Sequence, residues 1–179
     1  HAVRQARGDY VLFMDDDNIA KPHEISTYVR AAQSSGADIL TCFIDVFHGT
    51  GAPGSRQLPS ARSLPIGGSA TVGLFRNSFG DANALVRREV FHAVGGFTED
   101  YGIGHEDWEF FARAVLKGYR LLVVPEPLFW YRLAEDSMVR TTPDYENRVR
   151  PLRPYLEAAP PVMRDLIRFA HGSSCRPAA

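Results

Sequence analysis

The stretch Gly8-Asp9-Tyr10-Val11-Leu12-Phe13-Met14-Asp15-Asp16-Asp17 runs from a polar turn through five apolar residues into three adjacent acids. An apolar run of that length, without alternation, predicts a short strand buried on both faces. Downstream, Lys21-Pro22-His23-Glu24 opens a segment through Ser35 with Ile25, Tyr28, Val29 and Ala32 at helical spacing, and Gly36 is placed to stop it. Ala37 to Ile44 reads as the next strand. A strand, a helix and a strand in succession predict an α/β chain with a parallel sheet covered on both sides.

Working outward, 179 residues with 45% hydrophobic and 23% charged content suit one soluble domain with a sizeable core. A formal charge of -1 leaves no basic footprint for nucleic acid or an anionic membrane surface. Cys42 lies in an apolar run and Cys175 in a polar tail, too few and too far apart in character for a disulfide framework or a thiolate metal site. The expected compartment is a reducing cytoplasm. No run of about eighteen apolar residues and no charged-then-apolar leader occurs, so the sequence predicts neither a membrane span nor a signal peptide in this stretch. The chain opens on His1 and enters a strand within ten residues, which reads as a fragment of something longer.

Between His48 and Gly68 turn formers crowd together, including Gly49, Gly51, Pro53, Gly54, Pro59, Pro65, Gly67 and Gly68, with Arg56 and Arg62 as the basic residues. A long mobile loop is expected there, either a binding loop or plain disorder. Next come a short helix within Ala70 to Phe79, a strand at Ala82 to Val86, and a helix from Arg88 to Val94 ended by Gly95-Gly96. Trp108, Phe111, Ala112 and Val115 give one apolar face to a helix from His105 to Leu116, closed by Gly118. Strands follow at Leu121 to Val124 and Leu128 to Tyr131. Helices at Pro143 to Ala158 and Pro161 to Ala170 precede a Gly/Ser/Pro/Ala tail expected to be disordered.

Two acidic stretches carry chemistry. Asp15-Asp16-Asp17 would stand at the carboxyl end of a buried strand, where open α/β sheets bind ligands, and adjacent carboxylates repel unless a hard cation relieves them. Mg²⁺ or Mn²⁺ fits that donor chemistry and would assist a diphosphate leaving group. A solvated turn capping the next helix is the plain alternative. In the second stretch, Gly102-Ile103-Gly104-His105-Glu106-Asp107-Trp108-Glu109, a glycine-spaced loop enters a helix. Asp107 is the candidate general base for removing an acceptor hydroxyl proton, and Trp108 offers a flat face to a sugar ring. Helix capping by Glu106 and Asp107, with Trp108 in the core, is the competing reading.

In this order and spacing, Arg7 to Asp17, Val94-Gly95-Gly96-Phe97 and Gly104-His105-Glu106-Asp107-Trp108-Glu109 resemble the GT-A glycosyltransferases of family 2 across residues 1–140. The resemblance implies a GT-A fold, an α/β Rossmann-like three-layer sandwich, here without its first strand and helix units. It assigns residues 1–140 to the catalytic domain and says little beyond Thr142, where the sequence pattern itself places C-terminal helices at 141–171, packing on or flanking the domain, and a disordered tail at 172–179. It implies an inverting transfer of a sugar from a nucleotide-diphosphate donor to a saccharide or other hydroxyl acceptor, in polysaccharide or glycoconjugate assembly. By position, Asp15 and Asp16 fall to the donor nucleotide, and Asp17 with Asp15 to the metal. Asp107 falls to the base and Glu106 to the acceptor; Trp108, as a flat face, and His105, beside Glu106, are further acceptor-side candidates on their own chemistry. Asn83, in Asp81-Ala82-Asn83, would lie beside the donor sugar.

Arg132 could meet a diphosphate or make a salt bridge within the fold. Many relatives carry a histidine shortly after the Tyr-Arg pair, whereas Tyr131-Arg132 is followed here by Leu133 and Ala134, which cannot ligate; the third metal ligand is therefore open. Two other functions stay open: a non-catalytic sugar-binding or protein-binding fragment, and a metal-dependent nucleotidyltransferase, which would need no base at Asp107. A severed sheet edge would favour pairing into a homo-oligomer.

Overall fold

The computed structural model describes residues 2–54, 56–99, 104–134 and 149–174. Among them, strands β1 (Tyr10–Leu12), β2 (Ile19–Ala20), β3 (Ile39–Phe47), β4 (Ala61–Ser63), β5 (Leu85–Arg87) and β6 (Leu121–Arg132) form one sheet in the order β1-β5-β3-β6-β2, with β4 paired to β3. Helices α1 (Ala2–Gln5), α2 (Glu24–Ser35), α3 (Ala70–Gly73), α4 (Arg88–Val94), α5 (Glu106–Leu116), α6 (Val149–Ala158) and α7 (Arg164–Ser174) complete the fold, α7 being preceded by a 3-10 turn at Pro161–Met163.

The sheet is mixed rather than parallel. β5 lies between β1 and β3 and is antiparallel to both, while β3 and β6 run parallel. Two strands antiparallel to a common neighbour share a direction, so β1, β3 and β6 all point their carboxyl ends the same way. β1 is only half-buried, against the expected full burial, because just one of its edges is paired among the described residues. The two strands expected at 121–124 and 128–131 are one continuous strand. Its Pro125-Glu126-Pro127 segment sets the register shift against β3 at Cys42 to Ile44, since proline cannot donate to the ladder.

Side chains on neighbouring strand residues point to opposite faces. Ile39 and Val86 pack with Val90, Val94, Phe79, Phe110 and Phe111 on one side, and Leu40 and Leu85 pack with Tyr28, Ala32, Cys42 and Leu128 on the other. The sheet is therefore the middle of three layers, with α2 on one face and α4 and α5 on the other. α2 ends at Gly36, whose left-handed φ of 65° suits a glycine C-cap, and α4 ends the same way at Gly95. The buried stripe of α2 is Glu24, Thr27, Tyr28 and Ala32, and Ile25 and Val29 face solvent, a rotation from the expected face.

Part of the 48–68 segment is ordered as β4 on β3. Asp45, buried on β3, binds Lys21 Nζ at 2.5 Å and Arg62 Nε on β4 at 2.6 Å, which fastens that strand down. α6 docks on α5 through Glu109, almost fully buried, which meets Arg113 at 2.5 Å, Arg150 at 3.3 Å and Arg153 at 3.6 Å. No described helix is long and apolar enough to cross a membrane. Gly102, Ile103, the 135–138 stretch, the expected helix start at Pro143 and the tail with Cys175 lie outside the described residues.

Candidate functional site

A cleft of ≈1270 Å³ opens beyond the carboxyl ends of β1, β3 and β6, the position at which open α/β sheets bind ligands. Three segments bring acids to it. Asp15, Asp16 and Asp17 follow β1, Asp81 sits in the turn before β5, and His105, Glu106 and Asp107 stand at the start of α5. Tyr131 and Arg132 at the end of β6, Arg76 and Asn77 after α3, and Leu64 to Ile66 after β4 complete the walls. The two acidic stretches, ninety residues apart in sequence, thus meet in one cavity.

β1 breaks off at the acids because the chain turns away after Phe13. Phe13 N still donates to Ala84 O at 3.0 Å, and its ring packs against Phe91 and Phe97. Asp15 N then donates to Asn83 Oδ1 at 3.0 Å, and Asn18 Nδ2 reaches both Asn83 Oδ1 at 3.3 Å and Asp15 Oδ2 at 3.4 Å. Asn83 does not face the cleft. It is buried behind Asp15, with its backbone carbonyl taken by the Tyr28 hydroxyl at 3.1 Å. The residue of that tripeptide lining the cavity is Asp81, whose Oδ1 accepts from Asn83 N at 3.0 Å.

Gly80 makes this turn possible. Its φ is +132°, and a Cβ there would lie 2.6 Å from Thr41 Cβ on β3. Thr41 Oγ1 donates to Phe79 O at 2.6 Å, so the turn is pinned directly onto the central strand.

At α5, His105 takes a left-handed φ of 60° as the residue before the helix, which is what turns Glu106 and Asp107 into the cleft. Asp107 Oδ1 accepts from Trp108 N at 2.6 Å and Oδ2 from Asn77 Nδ2 at 3.2 Å. Trp108 is a core residue at 3% exposure, its indole N–H donating to Gly73 O at 2.6 Å. Its ring fills the wall beneath Asp107 and has no open face of the kind expected for stacking on a sugar, because the apolar stripe of α5 must be buried for the helix to dock. Arg132 Nε donates to Asp17 O at 3.0 Å, another of its nitrogens to Gly49 O, and its guanidinium lies 4.8 Å over the Phe47 ring. It ties the acid loop to β6 at the edge of the cleft.

Crowded carboxylates in a partly desolvated cavity resist ionisation. Burial, then Asp17, Glu106 and Asp16, push Asp15 above the ordinary carboxylate range. Burial, with Asp15, Glu106 and Asp17 as neighbours, lifts Asp81 to about 6. Asp107 is lifted to about 8 by burial first and then by Asp81 and Glu106, against the opposing hydrogen bonds from Trp108 N and Asn77. Carboxylates raised together at one cleft mark Asp15, Asp81 and Asp107 as the candidates for proton handling there.

Asp15 and Asp17 offer only oxygen donors, and the charge packed around Asp15 is what a cation would relieve. That chemistry suits Mg²⁺ or Mn²⁺, which take one or two protein carboxylates and fill the remaining positions with phosphate and water. Among the described residues no group of three or more His, Cys, Asp or Glu is arranged to hold a metal by itself. The sequence names Asp81 only as part of Asp81-Ala82-Asn83, expected beside the donor sugar, and carries no signal for the placement of Asn77 or Asn18.

Residues 1–95 match the family model described as glycosyl transferase family 2, and residues 68–159 match glycosyltransferase like family 2. No curated protein sequence matches the chain. Among solved structures, Staphylococcus aureus TarS 1–349 in complex with UDP-GlcNAc aligns at TM-score 0.65 and 18% identity, covering 97% of this chain and 50% of that one. The same protein in complex with UDP aligns at 0.59 and 20%, covering 93% and 46%. The mannosyltransferase PcManGT from Pyrobaculum calidifontis, in complex with GDP-Man and Mn²⁺, aligns at 0.53 and 16%, covering 95% and 46%. The chain shares their GT-A α/β fold and spans about half the length of these structures.

Proposed function

The chain belongs to glycosyl transferase family 2, and from that premise we propose that its cleft transfers a sugar from a nucleotide-diphosphate donor to a hydroxyl acceptor with inversion. The observation that carries the reading is the convergence of Asp15 and Asp17, after β1, with Asp107, at the start of α5, in one cleft. A direct displacement needs two things at once: charge stabilisation for the departing diphosphate and a base for the incoming hydroxyl.

Asp17 and Asp15 would hold a divalent cation, which supplies Lewis-acid stabilisation of the departing phosphate oxygen. The complexes of fold relatives with UDP-GlcNAc, and with GDP-Man and Mn²⁺, support this choice of donor and ion. Asp15 and Asp16 face the donor, with Arg132 at the cleft's edge. Asp107 takes the acceptor's proton as the acceptor oxygen bonds to the anomeric carbon, and the bond from that carbon to the phosphate oxygen breaks with its electron pair leaving on the nucleoside diphosphate. Approach opposite the leaving group inverts the anomeric centre. Glu106 and His105 line the acceptor side, and Trp108 supports them from the core. Cys42, a buried free thiol, supports a reducing, cytoplasmic setting.

The test is nucleotide release from UDP-GlcNAc and GDP-mannose with Mn²⁺. Asp107→Asn should lower turnover about 100-fold to 10,000-fold while leaving donor binding in place. Asp17→Ala should weaken metal-dependent binding itself. Turnover untouched by Asp107→Asn would favour a nucleotidyltransferase, which has no use for a base there, and equal loss of binding in both variants would refute the division of roles.

A further inference from the structure

Asn77 lies outside the motifs that carry the family resemblance, yet its side chain reaches Asp107 from a different part of the fold. Its orientation is unambiguous. Oδ1 accepts from Phe79 N at 3.2 Å, so Nδ2 must face the acceptors on its other side, Gly80 O at 2.9 Å and Asp107 Oδ2 at 3.2 Å. An amide has two N–H groups, and here each has one partner. The turn carrying Asn77 is in turn fixed on β3 by Thr41 and by the close approach at Gly80.

We propose that Asn77 is the positioning residue of Asp107: its locked amide holds one carboxylate oxygen, Trp108 N holds the other, and the remaining lone pairs are left to take the acceptor's proton. The role in catalysis rests on the reading of Asp107 as the base; the hold on the carboxyl does not. Asp107 faces two other carboxylates, Asp81 from the turn before β5 and Glu106 on its own helix, together with the Tyr131 phenol on β6. Arg76 lines the same cleft. Against burial and the two carboxylates, the bond from Asn77 works in favour of the charged form. Without it Asp107 would ionise only at higher pH and its side chain would lose a fixed direction.

The experiment follows the carboxyl ¹³C shifts of labelled aspartate against pH in the ligand-free protein, with Asp107 assigned by its loss in Asp107→Asn. In Asn77→Ala the Asp107 titration should move up by roughly one pH unit. Asn77→Asp keeps an acceptor for Phe79 N while facing Asp107 with a carboxyl group, and should move it further, so a folding defect in the alanine variant does not end the test. Nucleotide release from UDP-GlcNAc and GDP-mannose should fall in both variants near pH 7 and recover in part toward pH 9. A titration that stays in place in both variants while thermal stability falls makes Asn77 a brace for its own turn and overturns the proposal. If the titration moves but Asp107→Asn releases nucleotide as fast as the unmodified protein, the positioning stands and the base assignment fails.

Discussion

The backbone N–H of Asp15 lies 3.0 Å from Asn83 Oδ1, joining the end of β1 to the turn that leads into β5. Asn18 binds the same oxygen and also the Asp15 carboxylate, so one buried amide oxygen sets the path of the acid loop. Asn83→Ala removes that anchor without replacing any residue that lines the cleft. Mn²⁺-dependent nucleotide binding should weaken by about 1–3 kcal/mol, roughly fivefold to 150-fold, in calorimetric titration.

Burial first, then Asp81 and Glu106, push the Asp107 carboxyl up to about 8, and a base must be ionised to work. The value is raised, so the active form is the minority at pH 7 and grows as pH climbs. The limb of kcat/KM for donor turnover should therefore rise through about pH 8, and Asp81→Asn, which removes the stronger of the two carboxylate repulsions on Asp107, should shift that limb to lower pH. A pH-rate profile over 5.5 to 9.5 reads both.

Glu109 is buried at the centre of three arginines, two of them on α6. Glu109→Ala leaves those cations crowded and should cost roughly 3–5 kcal/mol in denaturant unfolding. Backbone amides of 149–158 should lose hydrogen-exchange protection first.

Asp45 is buried, which alone would raise its carboxyl, but hydrogen bonds from Arg62 and then Lys21 hold it below the usual range. A lowered carboxylate contributes stability above the unfolded value of about 3.9 and loses it as pH falls through the folded one. Asp45→Asn should therefore cost roughly 3 kcal/mol at pH 7 and less at pH 3, read as the difference in Tm at the two values.

Much of the architecture is legible in local signals. Gly36 and Gly95 each end a helix where a left-handed residue is needed, and the apolar run before Asp15 does lead the acids to a sheet end. The mixed sheet is not legible, because β5 is three residues long and carries no period that could reveal its direction. Trp108 reads equally as a core residue or as a sugar platform, and only the docking of α5 decides for the core. Of Asp81-Ala82-Asn83, the turn geometry at Gly80 determines which polar residue faces the cleft, and side-chain chemistry alone favours neither. Asn77 is invisible for a related reason: its partner is thirty residues away, and no sequence period links a turn to a helix start.

The most direct test is calorimetric titration of the protein with UDP and with GDP, each with and without Mn²⁺, beside the Asp17→Ala variant. The account predicts binding of at least one nucleotide that depends on Mn²⁺ and is lost or strongly weakened in Asp17→Ala. Nucleotide binding that is absent under all conditions, or equally strong without Mn²⁺ and in the variant, would contradict it.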